Sequence, residues 1–381
     1  MSNARRRGRT RIVLFLVTVF AVVFARPASH HARAARLLVT FSDTEAKPEI
    51  VEEMTTVEVP ASDAGPARTV KARMFAPPGA DRRALPATVL VHGVQYRGIE
   101  EPRLQRFARS VASAGLVVFT PQIDELADYH VAPRAIDIVG ASIGALRAQT
   151  GKTKVGVMGV SFGGGISLLT AADRRFADDV SFVVAIGAHD DLERVSGFFA
   201  RDEIPEVSGA TKKMQAHGYG AMVLLYTHAA DFFPTEDVPA ARDALRFWLW
   251  EKRDEAREAA KRLSPASKKK IDRVFDVGID EVRDQLIEGI RRRAPEMKRV
   301  SPHQNLGGLR ANVYLLHGEG DTVIPATETM WLASDVPPAS LRAVLVSPAI
   351  VHVELKEPTL GDKWALVHFM GQVVSEAESS R

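Results

Sequence analysis

The sequence predicts an α/β fold in which helices cover both faces of a mostly parallel sheet. Short runs of β-branched and apolar residues recur along the 381-residue chain, and segments with helical periodicity separate them. The runs are continuously apolar, as expected for strands buried on both faces. Because strand and helix alternate over most of the chain, the sheet is expected to be parallel and doubly covered.

The individual elements follow from these patterns. Turn-bounded stretches at residues 55–59 and 70–75 predict two edge strands ahead of the main alternation. The predicted buried strands are residues 87–91, 116–120, 154–158, 182–186, 312–316 and 343–346. The predicted helices are residues 102–114, 133–149, 163–174, 325–334 and 359–374.

Residues 190–304 interrupt the alternation, since they contain no clear buried-strand run and are dense in charge. We interpret them as a helical insertion. An apolar stripe at helical spacing predicts one amphipathic helix there, formed by Ile271, Phe275, Ile279, Val282, Leu286 and Ile290. The stripe either packs on the body or belongs to a helical cap over the carboxyl edge of the sheet, and we favour the cap.

Residues 1–36 predict an export segment that is separate from the folded body. Eight arginines precede the first acidic residue, Asp43, and without them the formal charge of +3 becomes −5. The body therefore offers no net positive field for nucleic acid, and we predict no nucleic-acid partner. The absence of cysteine excludes disulfides, thiolate metal sites and a lipidated-cysteine anchor.

The apolar stretch at residues 12–25 follows the arginine cluster, as in a signal peptide. It is shorter than the ~20 residues that a membrane-spanning helix needs, which favours cleavage, although a membrane tether through this stretch stays open. Small residues allow cleavage after Ala25 or after Ala34. The arginines would face the cytoplasm, so we predict a secreted, periplasmic or membrane-anchored protein. The alternative is a buried N-terminal helix.

Two segments match the pattern Gly-x-Ser-x-Gly, but their contexts differ. Residues 159–163, centred on Ser161, directly follow a predicted strand and open an apolar helical segment. A sharp turn there lifts the serine hydroxyl above the sheet, and the flanking glycines avoid collisions. Residues 140–144, centred on Ser142, lie inside a predicted helix. We therefore predict Ser161 as the nucleophile, and a structural Ser142 whose glycines let the helix pack closely on the sheet.

A serine nucleophile needs a base that a third group holds in place. Asp321 lies in the loop beyond the predicted strand at residues 312–316, and His352 lies in the loop after the next strand. Ligand and catalytic groups gather at this carboxyl edge of a parallel sheet. Because Ser161, Asp321 and His352 also occur in the chain order expected around such a serine, we predict a catalytic triad.

The rivals for these roles are few. Glu319, Asp190 and Asp191 are alternative acids, the last two because they follow the predicted strand at residues 182–186. Among the histidines, His368 lies in the final helical pattern, while His317 and His189 flank strand ends without the right chain position.

The sequence resembles the α/β-hydrolase superfamily from about residue 55 to the C-terminus, apart from the insertion. The resemblance is carried by the turn at Ser161, Val91-His92-Gly93-Val94, the Gly-x-Gly-Asp-x-x-Ile-Pro run at Asp321, and His352. It implies a catalytic domain formed by residues 37–189 and 305–381, and acyl transfer through a serine ester, as in carboxylesterases, lipases and some peptidases. No subfamily is identified.

The oxyanion of such a reaction needs two donors. The backbone N–H of Phe162, at the start of a helix, is one, and the resemblance implies the N–H of Val94 as the other. His92 is then interpreted as a turn-stabilising residue. The sequence has no H-E-x-x-H cluster, no P-loop and no dinucleotide fingerprint, so we predict no metal and no cofactor.

A carboxylic ester, small or lipid-like, is the predicted substrate class. Aromatic residues in the insertion favour an apolar acyl group if they line a cavity, although most are expected to form the insertion's own core. These are Phe198, Phe199, Phe232, Phe233, Phe247, Trp248 and Trp250. A peptidase or acyltransferase with the same triad, and a non-catalytic binding protein of the same fold, stay open as alternatives.

Overall fold

The computed structural model describes residues 28–350 and 359–379, so that predictions on residues 1–27 and on His352 lie outside the described residues. The described strands are β1 (Val51–Val59), β2 (Arg68–Ala76), β3 (Ala87–Val91), β4 (Val117–Pro121), β5 (Val155–Val160), β6 (Val180–Ile186), β7 (Glu203–Pro205), β8 (Thr211–Lys213), β9 (Asn312–Gly318) and β10 (Leu341–Ser347). Every strand predicted from the sequence is present, with ends shifted by a few residues.

The helices are α1 (28–42), α2 (Pro102–Ser113), α3 (Asp124–Ala127), α4 (Arg134–Thr150), α5 (Phe162–Ala172), α6 (Leu192–Arg201), α7 (Gly218–Thr227), α8 (Val238–Leu249), α9 (Arg253–Ala260), α10 (Pro265–Val277), α11 (Arg283–Lys298), α12 (Thr327–Asp335) and α13 (Leu360–Ser379). No helix within the described ranges has an apolar stretch long enough to cross a bilayer.

Eight strands form one sheet in the order β1-β2-β4-β3-β5-β6-β9-β10. The pairs β1–β2 and β2–β4 are antiparallel, and the remaining five pairs are parallel. One face packs against α4, α5 and α12, and the other against α1, α2 and α13. The predicted α/β class is therefore confirmed.

Two details of the predicted sheet are wrong. The strand expected at residues 70–75 is not an edge strand, because β2 lies between β1 and β4. The strand expected at residues 343–346 is not buried on both faces, because β10 forms the other edge and its side chains alternate between half-buried and exposed. Local sequence does not report a strand's place in the sheet, so neither error was visible in the pattern.

Residues 190–304 lie between β6 and β9 and contain α6 to α11, with the short antiparallel pair β7–β8. The single amphipathic helix predicted from the apolar stripe is two helices, α10 and α11. Gly278, with φ +94°, ends α10, and a 3-10 turn leads into α11. The stripe still faces inward on both helices, since Ile271 and Ile290 are buried.

The helix α1 is packed on the body. Ala34 and Leu37 are buried, Arg33 donates from Nε to the carbonyl of Ala114, and His30 Nε2 lies 2.8 Å from Glu378. Residues 28–36 were expected to belong to a separate tail, and the structure corrects this for the described part. Cleavage after Ala34 would cut through α1.

Candidate active site

Ser161 occupies a sharp turn between β5, which ends at Val160, and α5, which begins at Phe162. Its φ and ψ are 56° and −134°, a region that costs a residue with a side chain about 1–3 kcal/mol. Two hydrogen bonds hold it there: its N–H donates to Ile186 at 2.8 Å, and its carbonyl accepts from Gly164 at 2.8 Å. The strand, strained serine and helix match the predicted context.

The glycines around the turn are sterically required. A Cβ at Gly159 would lie 2.3 Å from the carbonyl oxygen of Gly163, and a Cβ at Gly163 would lie 2.4 Å from that of His92. Both contacts involve backbone, which cannot swing away. A Cβ at Gly165 would meet the ring of His189 at 2.2 Å. The motif predicts that positions 159 and 163 have no room for a side chain, and the structure confirms this.

Ser142 lies in the interior of α4 and is fully buried. Its Oγ donates to the carbonyl of Ile138 at 2.7 Å, one turn earlier in the helix. A Cβ at Gly140 would lie 2.2 Å from the ring of Phe176, and a Cβ at Gly144 would have no neighbour within 4 Å. Gly140 therefore lets α4 pack closely against the ring of Phe176, in the loop after α5. The expected role, close packing of α4 on the sheet, is wrong.

The loop after β3 passes directly in front of Ser161. A Cβ at Gly93 would lie 3.0 Å from Cβ of Ser161 and 3.6 Å from its Oγ. The adjacent His92 is buried, its Nε2 accepts the N–H of Ile123 at 3.1 Å, and its Nδ1 lies 2.8 Å from the carbonyl oxygen of Gly93. Nδ1 therefore carries the proton and donates. Burial lowers the pKa of His92, which keeps the ring neutral.

Asp321 lies in the loop after β9 and is buried. Its Oδ1 accepts the N–H groups of Val323 at 2.8 Å and Ile324 at 3.0 Å, which favour the ionised carboxylate. A Cβ at Gly187, just beyond β6, would lie 3.7 Å from Oδ2. Because the carbonyl of Ile186 also receives the N–H of Ser161, the acid and the serine lie at the same sheet edge.

The side chains of two other histidines near this edge form hydrogen bonds within the fold. His317 Nε2 lies 2.8 Å from the carbonyl of Ile324, and Nδ1 lies 2.6 Å from the hydroxyl of Thr329. His189 Nε2 lies 2.9 Å from the carbonyl of Val300, and burial lowers its pKa. His352, the predicted base, lies outside the described residues.

Of the three rival acids, Asp190 and Asp191 make other contacts and Glu319 is exposed. Asp191 caps α6 by accepting the N–H groups of Glu193 and Arg194. Asp190 is fully buried and accepts from Arg194 at 2.7 Å. Arg194 also contacts Glu328, whose carboxylate accepts the backbone N–H groups of residues 190 and 191. This ion-pair cluster joins the start of the insertion to α12.

The cluster includes a group of potential metal ligands that sequence spacing did not indicate. One ligand atom each from Asp190, His303 and Asp335 lies within 4.8 Å of the others, and His303 Nδ1 is 2.6 Å from Asp335. More than a hundred residues separate Asp190 from His303, so no local motif marks the group. The guanidinium of Arg194 already supplies positive charge at Asp190.

The insertion reaches the site through α7. The hydroxyl of Tyr219 donates to the carbonyl of Val94 at 2.9 Å, and the N–H of His217 donates to the carbonyl of Thr322 at 2.8 Å. The Trp250 ring lies 5.3 Å from that of Tyr96, two residues beyond Val94. Tyr219 and His217 were not singled out from the sequence, because an isolated polar residue in a helical segment carries no distinguishing pattern.

The strand order, the serine turn and the position of Asp321 together give the α/β-hydrolase fold. No protein-family model matches the chain, and no curated protein matches it in sequence.

Solved structures similar to the chain include esterases and peptidases. The brefeldin A esterase, a bacterial homologue of human hormone sensitive lipase, has 16% identity and a TM-score of 0.46, covering 93% of this chain and 85% of that one. A fungal esterase from Rhizomucor miehei has 16% identity and a TM-score of 0.44, with coverages of 93% and 95%. The acylaminoacyl peptidase of Pyrococcus horikoshii has 12% identity and a TM-score of 0.41, over 77% of this chain. The chain spans only 36% of that peptidase. Likeness at this level identifies no activity.

Proposed function

We propose that this protein is a serine hydrolase that cleaves carboxylic esters through an acyl-enzyme on Ser161. The observation that carries the proposal is the strained serine at the junction of β5 and α5, facing the glycine of a second loop. A residue held at positive φ by surrounding contacts stores strain that a purely structural serine does not need. Strain of this kind clusters at functional sites.

In the proposed reaction, Oγ of Ser161 attacks the ester carbonyl carbon while His352 takes the hydroxyl proton. The resulting oxyanion is bound by the N–H groups of Phe162 and Val94. The N–H of Phe162 belongs to the first turn of α5, where the helix leaves N–H groups free and the dipole favours negative charge. Collapse expels the alcohol, protonated by His352, and water then hydrolyses the acyl-serine by the same steps.

Asp321 would orient the imidazole of His352 and stabilise its protonated form. Support comes from its burial, its two backbone donors and its position at the serine's edge of the sheet. His352 is assigned by its position in the sequence after the strand β10 and by the chain order of the three residues.

The ester part of the proposal concerns the aromatic side chains of the insertion, which would favour an apolar acyl group where they approach the site. Most of the insertion's aromatic side chains pack into its own core, since Phe198, Phe199, Phe232 and Phe233 are all buried. Trp250, whose ring is tilted against that of Tyr96 with 5.3 Å between centroids, is the aromatic residue of this group that approaches the loop facing Ser161. A peptidase or acyltransferase using the same triad, and a non-catalytic binding protein, are the alternatives.

Labelling with a fluorophosphonate probe, followed by mapping of the modified residue, tests the nucleophile. We expect label on Ser161, loss of label in Ser161→Ala, strong reduction in His352→Ala, and wild-type labelling in the control Ser142→Ala. Label on Ser142, or none on folded wild-type protein, would overturn the proposal.

Aryl esters of increasing acyl length, compared with matched anilides, test the substrate class. Hydrolysis of esters alone supports an esterase, and comparable cleavage of anilides would move the protein to the peptidases. Release of an acylated alcohol in place of acid, when alcohol is added, would indicate an acyltransferase.

We also propose that residues 1–36 direct export. Because residues 28–42 are helical and pack on the body, cleavage after Ala25 would leave this segment intact, whereas cleavage after Ala34 would cut through it. N-terminal sequencing of protein recovered from the extracytoplasmic fraction tests this. Protein found only in the cytoplasm with an intact N-terminus would contradict it.

A further inference from the structure

The first turn of α7 is tied to both loops that carry the proposed catalytic groups. Tyr219 donates its hydroxyl hydrogen to the carbonyl of Val94 at 2.9 Å. Two residues earlier, the N–H of His217 donates to the carbonyl of Thr322, next to Asp321. The insertion therefore contacts the loop after β3, which carries Val94, and the loop after β9, which carries Asp321, through two residues at the start of α7.

The tyrosine is itself held firmly. Its N–H donates to Nδ1 of His217 at 3.2 Å, and its ring lies edge-on to that of Tyr129, with 6.1 Å between centroids. Tyr129 is buried in the loop after α3, on the body side. Burial raises the pKa of Tyr219, so its hydroxyl stays protonated and remains a donor.

Two anchors thus flank the N–H of Val94. The carbonyl of Gly93, on the peptide group that carries this N–H, accepts from Nδ1 of His92 at 2.8 Å. The carbonyl of Val94, on the following peptide group, accepts from Tyr219 at 2.9 Å. With both peptide planes fixed, rotation about the Val94 backbone is restricted, and a preorganised donor costs no reorganisation during reaction.

We propose that Tyr219 is a positioning residue that fixes the Val94 N–H for the oxyanion, so that the insertion contributes directly to turnover. This inference rests on the proposed function. Tyr219 then stabilises the transition state through the N–H of Val94. It does not contribute to binding of the substrate before reaction.

Tyr219→Phe tests the proposal, because it removes one hydroxyl and keeps the ring against Tyr129. The matched control is Tyr314→Phe in β9, which removes a hydroxyl 3.1 Å from Glu376 on α13, the helix that covers the opposite face of the sheet. We expect kcat for an aryl ester to fall about tenfold in Tyr219→Phe with KM within twofold of wild type. Tyr314→Phe should keep both constants.

A trifluoromethyl ketone, which forms a tetrahedral oxyanion on serine, supplies the decisive second measurement. Its inhibition constant should rise in Tyr219→Phe by the same factor as kcat falls, which a merely structural role would not produce. Thermal unfolding midpoints of the two variants should be similar.

The outcomes separate the two proposals. If fluorophosphonate labels wild-type Ser161 but Tyr219→Phe keeps wild-type kcat, or raises KM alone, the role of Tyr219 is overturned while the serine hydrolase stands. If folded wild-type protein is neither labelled nor hydrolytic, the proposed function fails and this inference fails with it.

Discussion

The Nδ1 atom of His92 lies 2.8 Å from the carbonyl oxygen of Gly93, and the peptide group of that carbonyl also carries the N–H of Val94. In a trans peptide these two groups point in opposite directions. Because Nε2 of the same ring accepts the N–H of Ile123, the imidazole cannot turn over without losing both bonds. His92 thereby fixes the direction of a proposed oxyanion donor without contacting substrate.

Replacement of His92 by alanine is expected to lower both turnover and stability. Loss of a direct oxyanion donor typically costs 10²–10³ in kcat, so we expect a smaller effect, about 10-fold to 100-fold, for an indirect one. The buried N–H of Ile123 loses its acceptor, which should reduce the free energy of unfolding by about 1–3 kcal/mol. Steady-state kinetics and urea unfolding measure the two effects. A folded variant with wild-type kcat would contradict the positioning role.

The strain at Ser161 predicts that the serine lowers the free energy of unfolding while it is required for function. Glycine adopts φ 56° without a side-chain penalty, so Ser161→Gly should raise the free energy of unfolding by about 1 kcal/mol while abolishing fluorophosphonate labelling. Ser161→Ala keeps a Cβ and should change stability little. In the control Ser142→Gly, glycine is less favourable than serine in the interior of α4 and the bond to Ile138 is lost, so stability should fall by about 1 kcal/mol. Equal effects at both serines, measured by urea unfolding, would argue against strain at residue 161.

Elements with strong local patterns were predictable from the sequence. The strand at residues 87–91 was predicted to the residue, because an apolar run between proline and glycine leaves little freedom in its ends. The different structural contexts of Ser161 and Ser142 were also predictable, since a strand precedes only the first. The glycines around Ser161 are explained by backbone contacts over a few residues, which is the range that sequence reasoning covers.

Features that depend on distant contacts were not predictable. The contact from Tyr219 to Val94 joins residues 125 positions apart and leaves no periodic trace. The group formed by Asp190, His303 and Asp335 is assembled by the two ends of the insertion and α12. The break at Gly278 was missed for another reason: a 3-10 turn keeps the apolar stripe nearly in phase across two helices, so the period alone suggests one.

Asp321→Asn tests the acid directly. The side-chain oxygen of asparagine can still accept the N–H groups of Val323 and Ile324, so the loop should keep its structure. Loss of the carboxylate should lower kcat by about 10³–10⁴-fold through the wrong imidazole tautomer. Asp191→Asn is the matched control on the rival loop and should keep most activity. Near-wild-type turnover in Asp321→Asn, measured with an aryl ester, would reassign the acid to Asp190 or Asp191.

Burial of the Asp190 carboxyl predicts that the stability of the protein falls as the pH rises. Burial raises its pKa to about 7, against an ordinary value of 3.8, although Arg194 opposes the shift. Between these values the folded protein holds a proton that the unfolded chain has released. Stability from this group is therefore complete below about pH 4 and falls by roughly 1.4 kcal/mol per pH unit until about pH 7.

Asp190→Asn removes this titration while imitating the protonated carboxyl in shape. The difference in unfolding free energy, wild type minus variant, should decrease steadily from pH 4.5 to pH 7 and then level off, because the carboxyl of the wild type becomes charged in both states. Urea unfolding at half-unit intervals gives this difference, and groups that titrate equally in both proteins cancel. A difference that stays constant, or increases with pH, would mean that Arg194 keeps Asp190 ionised throughout. Ester turnover measured in parallel separates this role from catalysis, since a structural Asp190 predicts retained kcat at pH 7 in the asparagine variant.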